Sequence, residues 1–254
     1  NGAVLIDGDT IKAVGTLAQL SQRYPEVLIE HYPQTLLMPG LINTHCHSGF
    51  LRGTAEGLAV WDWLQQFIDP MHRVLSPEDA KIASYLCYAE ALLSGTTTIV
   101  DMWRYMDGSA EAAKDLGIRA VLVPYVAEHP DHHYFESLKS NEALIKRWHQ
   151  QANGRIQVWV GLEHLFYAEN SALKRIENLC HEYQTGFHTH SNESQFDVQE
   201  NLRRSGMRPI ESLEKLGLLD VPKTLLAHCV WADANEIQIL KQHAVGVAHN
   251  PISN

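Results

Sequence analysis

The 254-residue chain has only four cysteines, Cys46, Cys87, Cys180 and Cys229, and no two of them stand in a C-x-x-C spacing. That excludes a zinc ribbon or a thioredoxin-type redox motif. Such scatter suits a reduced, cytoplasmic enzyme better than a secreted disulfide scaffold. No secretory segment is expected from the opening residues. No apolar run approaches the ~20 residues that span a bilayer. Runs of lysine or arginine are missing too, and the net charge is −10, which disfavours a nucleic acid or other polyanion as partner. Neither a G-x-G-x-x-G nor a P-loop is present, so nothing marks the nucleotide crevice of an open doubly wound sheet.

What is present is a core-forming chain, 45% hydrophobic and 20% charged. Residues 4–15 read as two short strands around an Asp-Gly turn. A lone hairpin is marginal in water, so this one should pack on something else. From Leu36 onward, short apolar strands alternate with amphipathic helices. Strands are predicted at Leu36–His47, Thr96–Met102, Ile118–Val126, Ile156–Leu165, Gly186–Ser191, Thr224–Val230 and Val245–Asn250. Helices are predicted at Pro77–Leu93, Ala110–Leu116, Glu142–Gln151, Ser171–Tyr183, Asp197–Arg204, Ile210–Leu216 and Asn235–Gln242. Ser76 and Pro77 form an N-cap and N1 pair, and Gly95 closes that helix. The expected fold class is α/β, a (β/α)8 TIM barrel with about seven β/α steps. Residues 1–37 would contribute strands of a small β-sandwich and residues 38–254 the barrel; an open doubly wound sheet is the second architecture.

Histidine gathers where such a barrel does its chemistry, at the C-terminal ends of strands. His45 and His47 close the first predicted strand, and their i, i+2 spacing turns both rings to one face. Neutral imidazoles converging there make half of a divalent-metal site. His188 and His190, then His228, then His249 close three later strands. An unpaired buried imidazole is costly, so this repetition asks for partners or a task.

These residues lie within a longer ordered series. Pro39-Gly40-Leu41-Ile42-Asn43-Thr44-His45-Cys46-His47 resembles the opening signature of the amidohydrolase superfamily. Leu51-Arg52-Gly53, Asp62-Trp63-Leu64, Gly95-Thr96-Thr97-Thr98, His190-x-x-Glu193, Ala227-His228-Cys229 and His249-Asn250-Pro251-x-Ser253-Asn254 resemble its metal-dependent aminohydrolase branch. That branch holds triazine hydrolases and the S-adenosylhomocysteine, guanine and related deaminases. The resemblance implies one divalent metal ion, usually zinc (Zn2+) and sometimes iron (Fe2+), with His45, His47 and His190 as ligands. It implies Glu193 as the acid/base that moves a proton from the activated water to a ring nitrogen. His228 would orient or deprotonate that water. His164 would contact substrate, with His249 beside the pocket and Trp63 as a hydrophobic wall or lid. Relatives with two metals commonly carry a bridging carboxylated lysine on the fourth strand; residues 156–165 hold no lysine, and Glu163, their only carboxylate, reads as structural.

The implied reaction is hydrolytic deamination of an aromatic nitrogen heterocycle, a purine, pterin or triazine-like ring, with release of ammonia. Displacement of halide or alkylamine from a similar ring, or a non-catalytic barrel scaffold, are the alternatives. The expected partner is a small heterocyclic substrate, with no nucleic acid or membrane; a homo-oligomer is compatible with the sequence. The family's eighth strand ends in an aspartate, and the chain stops before one appears, so it reads as part of a longer protein, inactive in the 254-residue form. Nucleoside-handling relatives often carry an acidic residue after the proline that follows Trp-Leu; His72 stands there, and Asp69 lies on the other side of Pro70. Alternation turns Cys46 and Cys229 away from the pocket as packing residues. His188 shares a face with His190 one layer deeper and is not read as a ligand. His129, His132 and His133 read as solvated loop, Trp61 as wall or packing, and Asp101 as an acceptor for a ligand imidazole.

Overall fold

The computed structural model describes residues 2–49, 57–132, 134–251 and 253. Leu51-Arg52-Gly53, His133 and Asn254 lie outside the described residues. The chain divides into two compact units, Asn1–Pro39 and Gly40–Asn254.

In the first unit, β1 (Gly2–Asp7) and β2 (Thr10–Thr16) form an antiparallel hairpin with Val4 opposite Val14. Gly8 turns it at φ +61°, a conformation glycine adopts without a Cβ penalty. A short helix, α1 (Leu17–Arg23), follows; Thr16 caps it and Gln19 completes the capping box. The sequence pattern did not announce this helix, which rests on the cap.

The second unit opens with β3 (Leu41–Cys46). The strand is shorter than the predicted Leu36–His47, since Pro39 has no N–H for a ladder. Next come α2 (Val60–Trp63), a π-helical turn over Leu64–Ile68 and α3 (Asp69–Val74), a run absent from the predicted elements. Then α4 (Pro77–Leu93) leads to β4 (Thr96–Trp103), α5 (Met106–Leu116), β5 (Arg119–Pro124) and α6 (Leu138–Trp148). The chain continues through β6 (Ile156–Val158), β7 (Val160–Leu162), α7 (Asn170–Glu182), β8 (Phe187–Ser191), α8 (Gln195–Ser205) and α9 (Pro209–Lys215). It closes with β9 (Thr224–His228), α10 (Ala234–Gln242) and β10 (Gly246–Ala248). Ser76 and Pro77 start α4 as expected, with Asp79 completing a capping box.

All pairings in this unit are parallel, in two four-stranded sheets ordered β3-β4-β5-β6 and β7-β8-β9-β10. The predicted strand Ile156–Leu165 is thus a correction: it breaks at Trp159 and ends at Leu162. The break is built in. At Gly161 a Cβ would lie 2.0 Å from the Pro124 carbonyl oxygen, so only glycine lets the strand pass. Asn141 of α6, fully buried, then serves the interrupted backbone: its Nδ2 donates to Trp159 O at 3.1 Å and its Oδ1 accepts from Gly161 N–H at 2.9 Å. Ile99, Leu122, Val158, Leu162, Phe187 and Leu226 fill the core between strands and helices. Continuous apolar runs such as Ala120–Val123 follow from both faces being covered. Among the described residues, no helix is long and apolar enough to cross a membrane.

Asn141→Ala would leave two buried backbone groups without partners. It is expected to lower stability by about 2–4 kcal/mol, measured by urea denaturation; an unchanged midpoint would mean that the strand break does not depend on this side chain.

Candidate metal centre and active site

The strand ends β3 and β8 bring His45, His47 and His190 together, with a nitrogen of each within 4.8 Å of the others. Their tautomers follow from their partners. A carbonyl oxygen can only accept, so the ring nitrogen bonded to it carries the proton. His47 Nδ1 donates to Met102 O at 2.7 Å, and His190 Nδ1 donates to Glu163 O at 2.8 Å. Both Nε2 atoms are left as lone pairs, and they face each other at 3.3 Å. His45 is fixed one step further out. His188 Nδ1 donates to Leu225 O at 2.7 Å, its Nε2 therefore accepts, and His45 Nδ1 donates to it at 2.9 Å. The remaining nitrogen, His45 Nε2, is buried with no hydrogen-bond partner.

Three lone pairs aimed at one another repel, and they fit a divalent cation between them. Burial favours the neutral rings: it pushes His47 down to about 4 and holds His45 and His190 well below the usual histidine range. His188 thus fixes the orientation of His45. A second acidic group, Glu163, His164 and His190, also comes within metal-binding distance. Its His164 Nδ1 already donates to Glu163 Oε2 at 2.6 Å, so the first set is the better cation site.

Glu193 sits between two further histidines. Its Oε1 is 3.4 Å from His228 Nε2, and its Oε2 is 3.5 Å from His164 Nε2. Burial alone would push the Glu193 carboxyl up, but hydrogen bonding with His164 and the charges of His228 and His164 hold it below the usual range. For His164 burial pulls downward and the Glu163 carboxylate wins, raising it well above an ordinary histidine. Tyr125 also donates to Glu163, at 3.1 Å. Backbone turns aim these groups: Asn192 has φ +50°, His228 +72° and Cys229 +53°. Non-glycine residues in the left-handed region cost energy and collect at working sites. Here the turns are cross-braced. Cys229 N–H donates to Ser191 O, Trp231 N–H to Asn192 O, and Asn192 Nδ2 to the fully buried Glu236 at 2.9 Å. The positive φ values also end β9 at His228, two residues short of the prediction.

Several partners escaped the sequence reading. Asp197, one helical turn beyond Glu193, accepts the Glu193 N–H at 3.0 Å and lies 4.0 Å from His164 Nε2; burial raises its carboxyl to about 6. Glu163 is more than structural filler, since it fixes His164 and His190 at once. Asp101 is a correction. Its oxygens take Ser48 N–H at 2.9 Å and Tyr88 OH at 2.6 Å, with Cys46 Sγ at 3.8 Å; a ligand imidazole is not among its partners. It holds the turn that follows His47. Gly49 allows that turn, because a Cβ there would lie 2.0 Å from the Trp103 indole.

Trp61 and Phe166 flank His164, with ring centroids at 5.3 and 5.1 Å, and Trp61 Nε1 donates to Ser194 Oγ at 2.9 Å. Trp63 is half-buried two residues along the same short helix, a spacing that places it on a different face. His249 is exposed, and its Nδ1 donates to His228 O at 3.1 Å. His132 is another correction: it lies half-buried among Tyr167, Phe135 and Tyr134, its centroid 4.2 Å from Tyr167. Cys46 and Cys229 pack against the core, and burial pushes the Cys229 thiol up to about 12. None of the four cysteines is in a disulfide.

The amidohydrolase family model matches residues 36–254, and an imidazolonepropionase-like composite domain of bacteria matches residues 2–26. The chain is 36% identical over 260 residues to a protein of Thermoanaerobacter pseudethanolicus named 5-methylthioadenosine/S-adenosylhomocysteine deaminase, covering 100% of this chain and 59% of that one. It is 36% identical over 256 residues to a Methanobrevibacter smithii protein named 5'-deoxyadenosine deaminase, covering 100% and 58%. A crystal structure of an adenosine deaminase from Xanthomonas campestris with bound zinc superposes with a TM-score of 0.88 at 26% identity, over 100% of this chain and 58% of the other. The chain spans 58–59% of the length of these curated relatives. Its fold is of the TIM-barrel type, with parallel sheets. The chain belongs to the amidohydrolase family.

Proposed function

We propose that this chain carries the metal-binding part of a hydrolase that deaminates an aromatic nitrogen heterocycle. The carrying observation is the set of three Nε2 lone pairs, each fixed by a partner on its other nitrogen, beside a carboxylate set between two histidines. The names of the two relatives described above, both deaminases of adenosine-like compounds, support the same chemistry.

His45, His47 and His190 would hold one divalent ion, zinc ahead of iron. When bound, such an ion lowers the pKa of water from about 15.7 toward ~7. Residues 156–165 contain no lysine, which supports one ion over two. In the net reaction an amino-substituted ring carbon and water give a ring carbonyl and ammonia. The ring nitrogen must gain a proton as water adds, and ammonia must leave with another. Glu193 is placed for both transfers. Its Oε1 faces His228, which receives or returns a proton at Nε2, and its Oε2 faces His164. Glu163 keeps a proton on His164 Nδ1. Trp61 and Phe166 each lie about 5 Å from the His164 ring and 5.4 Å from each other, an aromatic cluster beside Glu193. His249 would support His228 through its carbonyl, and Trp63 would wall the pocket mouth.

In this reading residues 38–254 supply about seven β/α steps of the barrel and residues 1–37 strands of a small β-sandwich. The net charge of −10 supports a small-molecule substrate over a nucleic acid, and scattered unpaired cysteines support a cytoplasmic setting.

Aminated purines, pterins and triazines, offered to the full-length, zinc-loaded protein, are expected to release ammonia in at least one case. Glu193→Gln is expected to keep the metal and cut turnover by at least ~10²-fold; near-normal turnover would remove Glu193 from the mechanism. Asp101→Ala is expected to weaken zinc binding about 10-fold or more in competition with a chromophoric chelator. Unchanged affinity in the folded variant would show that the turn after His47 needs no such anchor.

A further inference from the structure

Two buried polar side chains next to the aromatic floor of the site, His72 and Arg104, keep polar atoms without a hydrogen-bond partner. His72 on α3 is 1% exposed, and both of its ring nitrogens are shut away without a hydrogen-bond partner. Its surroundings are aromatic: the Trp103 centroid lies at 4.9 Å, Tyr125 at 5.1 Å in a near-parallel stack, and Phe135 at 5.4 Å. Trp103 and Tyr125 are themselves neighbours of His47, at 6.4 and 5.7 Å, so His72 is one aromatic ring removed from a metal ligand.

Arg104 follows directly on Trp103 at the end of β4 and is 6% exposed. Its Nη1 donates to the backbone carbonyl of His72, its Nη2 donates to Tyr105 OH at 3.0 Å, and the guanidinium lies 4.6 Å from the Tyr105 ring centre. Its Nε has no partner, and among the described residues no carboxylate forms an ion pair with it. Elsewhere in the fold, buried charges are answered. Glu236 takes Arg208 Nε at 2.8 Å and Ile210 N–H at 3.0 Å, and Glu163 takes His164. A cation left buried without an anion is strongly unfavourable unless something arrives to meet it. Packing alone would be served by phenylalanine at 72 and leucine or methionine at 104.

We infer that Arg104 and His72 together form a receptor for an oxyanionic substituent, a carboxylate, carried by the heterocyclic substrate on the side away from the reacting carbon. This rests on the deaminase reading above and narrows it: the preferred ring is an anionic one. The guanidinium supplies the charge and the free Nε–H, and the imidazole supplies a further donor. Both are specificity-determining residues.

Pterin and pterin-6-carboxylate are a matched neutral and anionic pair. Calorimetric binding of each to the full-length, zinc-loaded protein is expected to favour the carboxylate by about 10- to 100-fold, the scale of one charge-assisted contact. Arg104→Met is expected to abolish that preference while leaving pterin affinity within about 3-fold. Arg104→Lys should restore part of it, and His72→Phe, which keeps the aromatic stack, should lower it. Equal binding of the two ligands, a preference that survives Arg104→Met, or no binding of either would overturn the inference. Ammonia release is scored separately. Carboxylate-selective binding without ammonia would sink the deamination reading and leave the receptor standing; ammonia release with no carboxylate preference would do the reverse.

Discussion

A hydrogen bond from an imidazole to a backbone carbonyl is the constraint on which this site depends. Met102 O, Glu163 O and Leu225 O each take the Nδ1 proton of a histidine, and each bond sends a lone pair to the opposite side of that ring. In the strand interiors the carbonyls are spent on ladder bonds. Met102 O lies near the C-terminal end of β4 and Glu163 O just beyond β7, where they serve His47 and His190; Leu225 O, near the start of β9, serves His188. Burial then keeps the rings neutral, which is the state a cation needs.

Glu163 joins the two halves of the site. Its backbone oxygen fixes His190 in the cation-binding set, while its carboxylate fixes His164, the neighbour of Glu193. Tyr125 donates to the same carboxylate and stacks on His72, so the aromatic floor is tied to the proton-handling groups as well. A change at Glu163 should disturb every part of the site, whereas in the proposed mechanism a change at Glu193 would touch only the proton path.

The parts legible in the sequence were those set by period and residue type. His45 and His47 at spacing two, His190 and His228 at strand ends, and the capped start of α4 follow from local rules, and the structure brings the first three to one place and His228 beside Glu193. What stayed hidden depends on nonlocal backbone geometry. The break at Trp159 arises because Gly161 passes against the Pro124 carbonyl and Asn141 fills the gap left in the ladder. His188, one layer deeper than His190, does not read as a ligand in the sequence, and only its paired contacts with Leu225 and His45 give it a supporting place. Asp101 has the right residue type for a histidine partner, yet Tyr88 and Ser48 reach it first. The run from Val60 to Val74 carries Pro70 and a π turn, which blur the helical period.

The most direct test is the metal content and coordination of the purified, zinc-loaded protein, by elemental analysis joined to X-ray absorption. One ion per chain, with histidine nitrogens at about 2.0–2.1 Å and their signal reduced in His45→Ala, is the predicted result. A protein that takes up no ion, or holds one equally well without His45, His47 and His190, would contradict the account.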